Sequence, residues 1–168
     1  MLDKYINIGR LKSPWVIHFD AGSCNGCDIE VLACLTPVFD VERFGIINTG
    51  NPKHADVLLV TGTVNPRSAQ VLKNLYAQMP DPKAVIALGA CACSGGVFRD
   101  CYNVLGGVDK AIPVDVYAPG CACRPESIID SVVLALDVVK AKLGVAPMPK
   151  VQILGLQTSS EFPEEQTT

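Results

Sequence analysis

Four of the eight cysteines in this chain lie in short, glycine-flanked loops, where a thiolate could bind metal. They are Cys24 and Cys27 in Gly22-Ser-Cys-Asn-Gly-Cys27, Cys91 in Leu88-Gly-Ala-Cys-Ala92, and Cys121 in Ala118-Pro-Gly-Cys-Ala122. Each loop follows a short apolar run that reads as a strand. In an open α/β sheet the loops at the carboxyl ends of the strands face one crevice, so three loops distant in sequence can bring four thiolates together. Four thiolates suit an iron–sulfur cluster or a structural zinc. Zinc sites usually draw on two close ligand pairs; one pair and two singletons favour the cluster. A Cys-x-x-Cys pair alone also fits a thioredoxin-type redox dithiol, but the two further Gly-flanked cysteines argue against it. The glycines let backbone approach a bulky cluster closely.

The elements that must position these loops follow from local pattern. Trp15 to Phe19, Val41 to Ile47, Asp56 to Thr61, Ala84 to Leu88 and Val114 to Tyr117 read as strands. Asp28 to Cys34 reads as a short helix, ended before Pro37. A helix from Pro66 to Met79 carries an apolar stripe of Val71, Leu72, Leu75 and Met79. The last helix, Pro125 to Leu143, aligns Ile128, Val132, Leu136, Val139 and Leu143 on one face. Alternating strands and helices predict an α/β fold: one domain, residues 12–146, with a parallel sheet covered by helices on both faces. Residues 147–168 are expected to be an extended or disordered tail, rich in proline and acidic residues.

Bulk properties bound the function classes. The 168 residues suggest one domain, and a net charge of −3 without a basic run argues against nucleic-acid binding. Only 18% of residues are charged against 49% apolar, lean for a soluble domain, so part of the surface is expected to be buried in an assembly. No apolar stretch approaches the about 20 residues of a membrane span, and the N-terminus lacks the pattern of a signal peptide. An intracellular setting follows, where eight cysteines point to metal ligation rather than disulfides.

The remaining candidates have plainer readings beside the functional ones. Cys34 reads as a small core residue; Cys93, Cys101 and Cys123 read as packing near the site, or as a second metal site or exchanged ligands. Glu30 either favours the helix N-terminus or serves as a proton relay beside the cluster. Arg124 could donate to a cluster sulfur or pair with a partner's carboxylate, and Glu126 suits the first turn of its own helix. His18 reads as a satisfied core histidine, His54 as a surface residue, and Asn25 as a choice for positive φ. Neither Gly-x-Gly-x-x-Gly nor a Walker Gly-Lys-Ser/Thr occurs, so a nucleotide site is not expected.

At these motifs the chain resembles the small subunit of [NiFe] hydrogenases and its homologue in respiratory complex I. The resemblance rests on Gly22 to Glu30, on Gly89-Ala-Cys-Ala92 with Gly95-Gly96, and on Pro119-Gly-Cys121 with Arg124-Pro-Glu126. It covers residues 12 to 143 and implies a flavodoxin-like fold. It further implies one [4Fe-4S] cluster on Cys24, Cys27, Cys91 and Cys121. Complex I subunits carry two adjacent cysteines at the first motif, whereas here Asn25-Gly26 separates them, as in hydrogenases. No second cysteine-bearing domain follows, as in group 4 membrane-bound, energy-converting enzymes. The third motif departs from the family's Gly-Cys-Pro-Pro-Arg-Pro-Glu, with Ala122 and Cys123 in place of the prolines.

The implied role is electron transfer between a ferredoxin-like two-cluster subunit and the NiFe site of a large-subunit partner, with integral membrane antiporter-like subunits coupling proton reduction or H2 oxidation to ion transport. The implied location is the cytoplasmic side of the cell membrane, as a peripheral subunit. A formate hydrogenlyase or a quinone- or sulfur-linked complex I relative is the alternative within the family; a zinc-stabilised structural module is the alternative outside it.

Overall fold

The computed structural model describes residues 7, 9–144 and, by backbone alone, 152–153. In chain order the elements are β1 (Trp15–Asp20), α1 (Gly26–Cys34), β2 (Ile47–Asn48), β3 (Val57–Thr61), α2 (Pro66–Gln78), β4 (Ala84–Leu88), α3 (Gly89–Ser94), β5 (Val116–Ala118), α4 (Pro125–Lys142) and β6 (Gln152–Ile153). The sheet runs β2-β1-β3-β4-β5-β6 with every neighbouring pair parallel. Its first five strands have the flavodoxin-like order 2-1-3-4-5, whose direction reverses at β1/β3.

Continuous apolar sequence puts β3 and β4 in the middle. Every residue of both strands is buried, as parallel strands covered on both faces must be. Side chains alternate between two cores. Val57, Leu59, Ile86 and Leu88 meet Val31 and Cys34 of α1 and Ile128, Val132 and Val139 of α4. Leu58, Val60, Val85 and Ala87 meet Ala69 and Leu72 of α2 and Ala92 of α3. Helix α2 starts where Asn65 Oδ1 accepts the Ser68 N–H at 2.8 Å, with Pro66 in the first turn. It stops where Lys83 Nζ takes the free carbonyls of Tyr76 and Met79, at 3.0 and 3.1 Å. Leu72 has no solvent exposure, so Leu72→Ala is expected to cost about 2–5 kcal/mol, read as a lower denaturation midpoint in urea.

Several boundaries differ from the pattern-based ones. Residues Val41–Phe44 form a 3-10 turn rather than a strand, and only Ile47–Asn48 joins the sheet. Gly45 is the cause: it turns with φ 88°, and a Cβ there would sit 2.3 Å from the Lys12 carbonyl. The strand expected over 114–117 begins at Val116, because the Asp115 carboxylate takes the Val85 N–H at 2.9 Å. On α2, Val71 faces solvent while Ala69 and Leu72 face the core. The sheet also reaches past residue 146, where β6 pairs with β5. The rest of the expected tail lies outside the described residues. At the other end, Arg10 precedes the expected boundary at residue 12 yet pairs with Asp56 at 3.4 Å. Among the described residues no helix is long and apolar enough to cross a membrane.

Candidate metal centre

The carboxyl ends of β1, β4 and β5 carry the three thiol loops. At the first, Asp20 Oδ1 accepts the N–H groups of Gly22 and Ser23 at 2.8 and 2.6 Å, turning the chain out of β1. Ser23 Oγ then accepts the Asn25 N–H at 2.9 Å. Asn25 sits in the left-handed region with φ 67°, as expected from its tolerance of that conformation, and α1 begins at the next residue. The other two loops are joined directly: the Ala90 N–H donates to the Gly120 carbonyl at 2.8 Å. The third loop also packs on the first: a Cβ on Gly26 would lie 3.5 Å from the Ala122 Cβ.

Cys24 and Cys121 are exposed, Cys27 and Cys91 half-buried, at one rim of the sheet. The four thiols are near enough to disturb one another. Burial pushes the Cys91 thiol up, and the thiolates of Cys121, Cys24 and Cys27 push it further. Burial also raises Cys27; the Cys123 amide opposes this, while Asp28, Cys24 and Cys121 add to it. A cationic centre among these thiols would favour their thiolate forms together. The glycines leave room for one. A Cβ on Gly89 would lie 2.6 Å from Cys27 Sγ, and one on Gly96 would lie 3.2 Å from Cys91 Sγ. Among the described residues, no three His, Cys, Asp or Glu side chains close on a single ion. Zinc needs its sulfurs at about 2.3 Å; the donor set is compatible with an iron–sulfur cluster, whose thiolates stand around a wider core.

The other four cysteines point elsewhere. Cys123 is 1% exposed and its thiol is pushed up to about 11, chiefly by burial and then by Cys27, Cys34 and Glu30. Cys93 lies on the α2 side of the sheet, 3.5 Å from the Ala87 carbonyl, and burial pushes it up to about 12. Cys34 donates to the Glu30 carbonyl at 3.3 Å inside the α1–α4 core. Cys101 is exposed on the surface loop after α3.

Helix α1 starts two residues earlier than its sequence pattern indicates. Asp28, not Glu30, is therefore the acidic residue of its first turn. Glu30 is half-buried in the second turn, near enough to raise the Cys123 and Cys34 thiols. Arg124 caps α4 from an exposed position without a side-chain cap bond, and Glu126 occupies that helix's first turn. His54 is exposed against Trp15, its ring 5.5 Å away. His18 is satisfied, as expected, but through a residue that sequence reasoning passed over. Its Nε2 lies 2.9 Å from Asp28 Oδ1 and 3.1 Å from Thr61 Oγ1. The available signal for Asp28 was an acidic residue directly after the Cys-x-x-Cys pair at a helix start.

Comparison with known proteins shows the family to which the chain belongs. The model of the family described as NADH ubiquinone oxidoreductase, 20 kDa subunit, matches residues 24–135, a span that holds all four thiols. A probable membrane-bound hydrogenase subunit of Pyrococcus furiosus is 55% identical over 130 residues, 77% of each chain. Formate hydrogenlyase subunit 7 of Escherichia coli is 46% identical over 132 residues, 79% of this chain and 52% of that one. Among solved structures, a chain of the membrane-bound sulfane sulfur reductase, an archaeal respiratory membrane complex, superposes with a TM-score of 0.71. It is 39% identical, over 81% of this chain and 75% of that one.

Proposed function

Since the chain belongs to the NADH ubiquinone oxidoreductase 20 kDa subunit family, we propose that it is the electron-transfer small subunit of a membrane-bound, energy-converting [NiFe] hydrogenase. Cys24, Cys27, Cys91 and Cys121 hold one [4Fe-4S] cluster. The observation that carries this reading is the meeting of these four thiols at one sheet rim, where Cys24 and Cys121 both act on Cys27 and Cys91, in a cradle that a single Cβ would obstruct. One-electron carriage is the chemistry the cluster supplies when bound. The protein's own part is to place the thiolates, to keep the cradle clear at Gly89 and Gly96, and to present the rim to its neighbours.

Those neighbours are a large subunit bearing the NiFe site, a ferredoxin-like two-cluster subunit, and integral membrane antiporter-like subunits that couple the reaction to ion transport. The chain is thereby a peripheral subunit on the cytoplasmic side of the membrane. Apolar side chains on both sides of the rim support a covered surface: Ile29 and Leu32 on α1 are 64% and 59% exposed, and Val97 after Cys91 is 92% exposed. Such side chains favour a partner over water.

Glu30 is assigned to proton relay, because its half-buried carboxylate lies beside the thiol layer under the rim. Glu30→Gln is expected to lower hydrogen turnover by about tenfold or more, with iron per chain unchanged in the intact complex. Equal turnover in the two proteins would remove Glu30 from the pathway.

A second reading within the family has a specific observation behind it, the likeness to formate hydrogenlyase and to sulfane sulfur reductase subunits. In that case the chain serves a formate-, quinone- or sulfur-linked complex. Purification of the intact complex without air, with iron, zinc and nickel analysis and a hydrogen-evolution assay, separates these readings. Brown protein with nickel and ferredoxin-driven hydrogen evolution is expected. Iron without nickel selects the second reading, and colourless protein with zinc selects a structural module.

A further inference from the structure

Asp28 joins three elements beneath the first thiol loop. Its Oδ1 accepts the Thr61 hydroxyl of β3 at 2.5 Å and lies 2.9 Å from His18 Nε2 of β1. Its Oδ2 accepts the hydroxyl of Ser23, the residue before Cys24. Ser23 Oγ in turn accepts the Asn25 N–H at 2.9 Å. One carboxylate thereby fixes the chain on both sides of Cys24 to the two strands at the sheet's switch point. Thr61 is fully buried and the Asp28 side chain is 15% exposed, so the network is screened from most solvent. A helix-capping role alone would not need three side-chain partners outside the helix.

We propose that Asp28 is the positioning residue of the thiol site: it clamps the Cys24–Cys27 loop to β1 and β3, and it sets a negative charge beside Cys27 that lowers the reduction potential of the centre held there. This inference rests on the iron–sulfur reading above. The physical reason is Coulombic. Reduction adds negative charge to the centre, and a neighbouring carboxylate disfavours that state in a poorly screened site.

The test compares wild type, Asp28→Asn, Asp28→Glu and Ser23→Ala in the intact complex purified without air. Three quantities are read: iron per chain, the midpoint potential of this centre by redox titration followed by electron paramagnetic resonance, and the rate of iron loss to a chelator. Asp28→Asn is expected to keep its iron, to raise the potential, and to lose iron about tenfold faster, the size expected for a lost hydrogen bond to a charged group. Asp28→Glu is expected to bring the potential back toward wild type. Ser23→Ala keeps the charge but loses one arm of the clamp, so it is expected to speed iron loss with the potential unchanged.

Iron-loaded Asp28→Asn at the wild-type potential would overturn the charge assignment while leaving the cluster reading intact. Should Asp28→Asn fail to assemble, Ser23→Ala still decides the clamp, which unaltered iron loss would overturn. Iron-free wild type would overturn the cluster reading and this inference together.

Discussion

Cys24→Ser is expected to strip the chain of most of its iron and to abolish electron transfer, while Cys34→Ala leaves both in place. A serine hydroxyl is a far poorer iron ligand than a thiolate, and the neighbouring cysteines offer no replacement. Cys93 and Cys123 are the nearest spare thiols in sequence to the ligands, yet burial pushes them up to about 12 and about 11. Cys123 is buried in the α1–α4 core, and Cys93 packs against the core on the α2 side of the sheet. Cys34 likewise points into the α1–α4 core, pushed up to about 11 by burial, so its loss removes packing and no ligand. The cost of Cys34→Ala is about 1 kcal/mol of stability. Visible absorption and iron analysis of the two variants, purified without air, check this partition. Equal loss of iron in both would show that the cysteines are divided wrongly.

Gly89→Ala is expected to be nearly as damaging, although no ligand is touched. Gly89 leaves β4 with φ 82°, a region that costs a residue with a Cβ about 1–2 kcal/mol. The added methyl would also stand 2.6 Å from Cys27 Sγ and 3.4 Å from the Gly120 carbonyl. Cys27 cannot retreat freely, because it belongs to α1 and packs against the core on that side of the sheet. The variant should lose about 2–3 kcal/mol of stability and much of its iron. Gly144→Ala is the control: φ is 72° there, but a Cβ would meet nothing within 4 Å. It should show the backbone strain and keep its iron. Iron retention by Gly89→Ala at the level of Gly144→Ala would remove the steric basis of the cradle.

Much of this architecture can be read in the chain, and the failures have identifiable causes. Strands β3 and β4 announce themselves as uninterrupted apolar runs because both faces are covered. Helix α4 shows in the spacing of Ile128, Val132 and Val139, all buried as its periodicity requires. The apolar character of Val41, Phe44 and Ile47 suggests a strand, but a turn at Gly45, packed on Lys12, overrides it. Nothing local marks that contact. Gly26 and Cys27 have loop-like character, so local pattern starts α1 at Asp28 and makes Glu30 its first-turn acid, whereas the helix begins at Gly26 and Asp28 takes that place. The four rim thiols stand out in the chain because glycine-flanked cysteines at strand ends are a local signal. The Asp28 network does not, since its partners Thr61 and His18 come from other strands and become neighbours only through the β1–β3 pairing.

The central claim is that one iron–sulfur cluster sits on four particular thiols. An experimental structure of the intact complex, purified without air and with anomalous scattering recorded at the iron edge, tests it most directly. One compact iron signal is expected at the rim of the sheet, bonded to the sulfurs of Cys24, Cys27, Cys91 and Cys121, with Cys34, Cys93, Cys101 and Cys123 free of metal. Iron bonded to Cys93 or Cys123 in place of Cys91 or Cys121, or a single zinc ion at the rim, would contradict it.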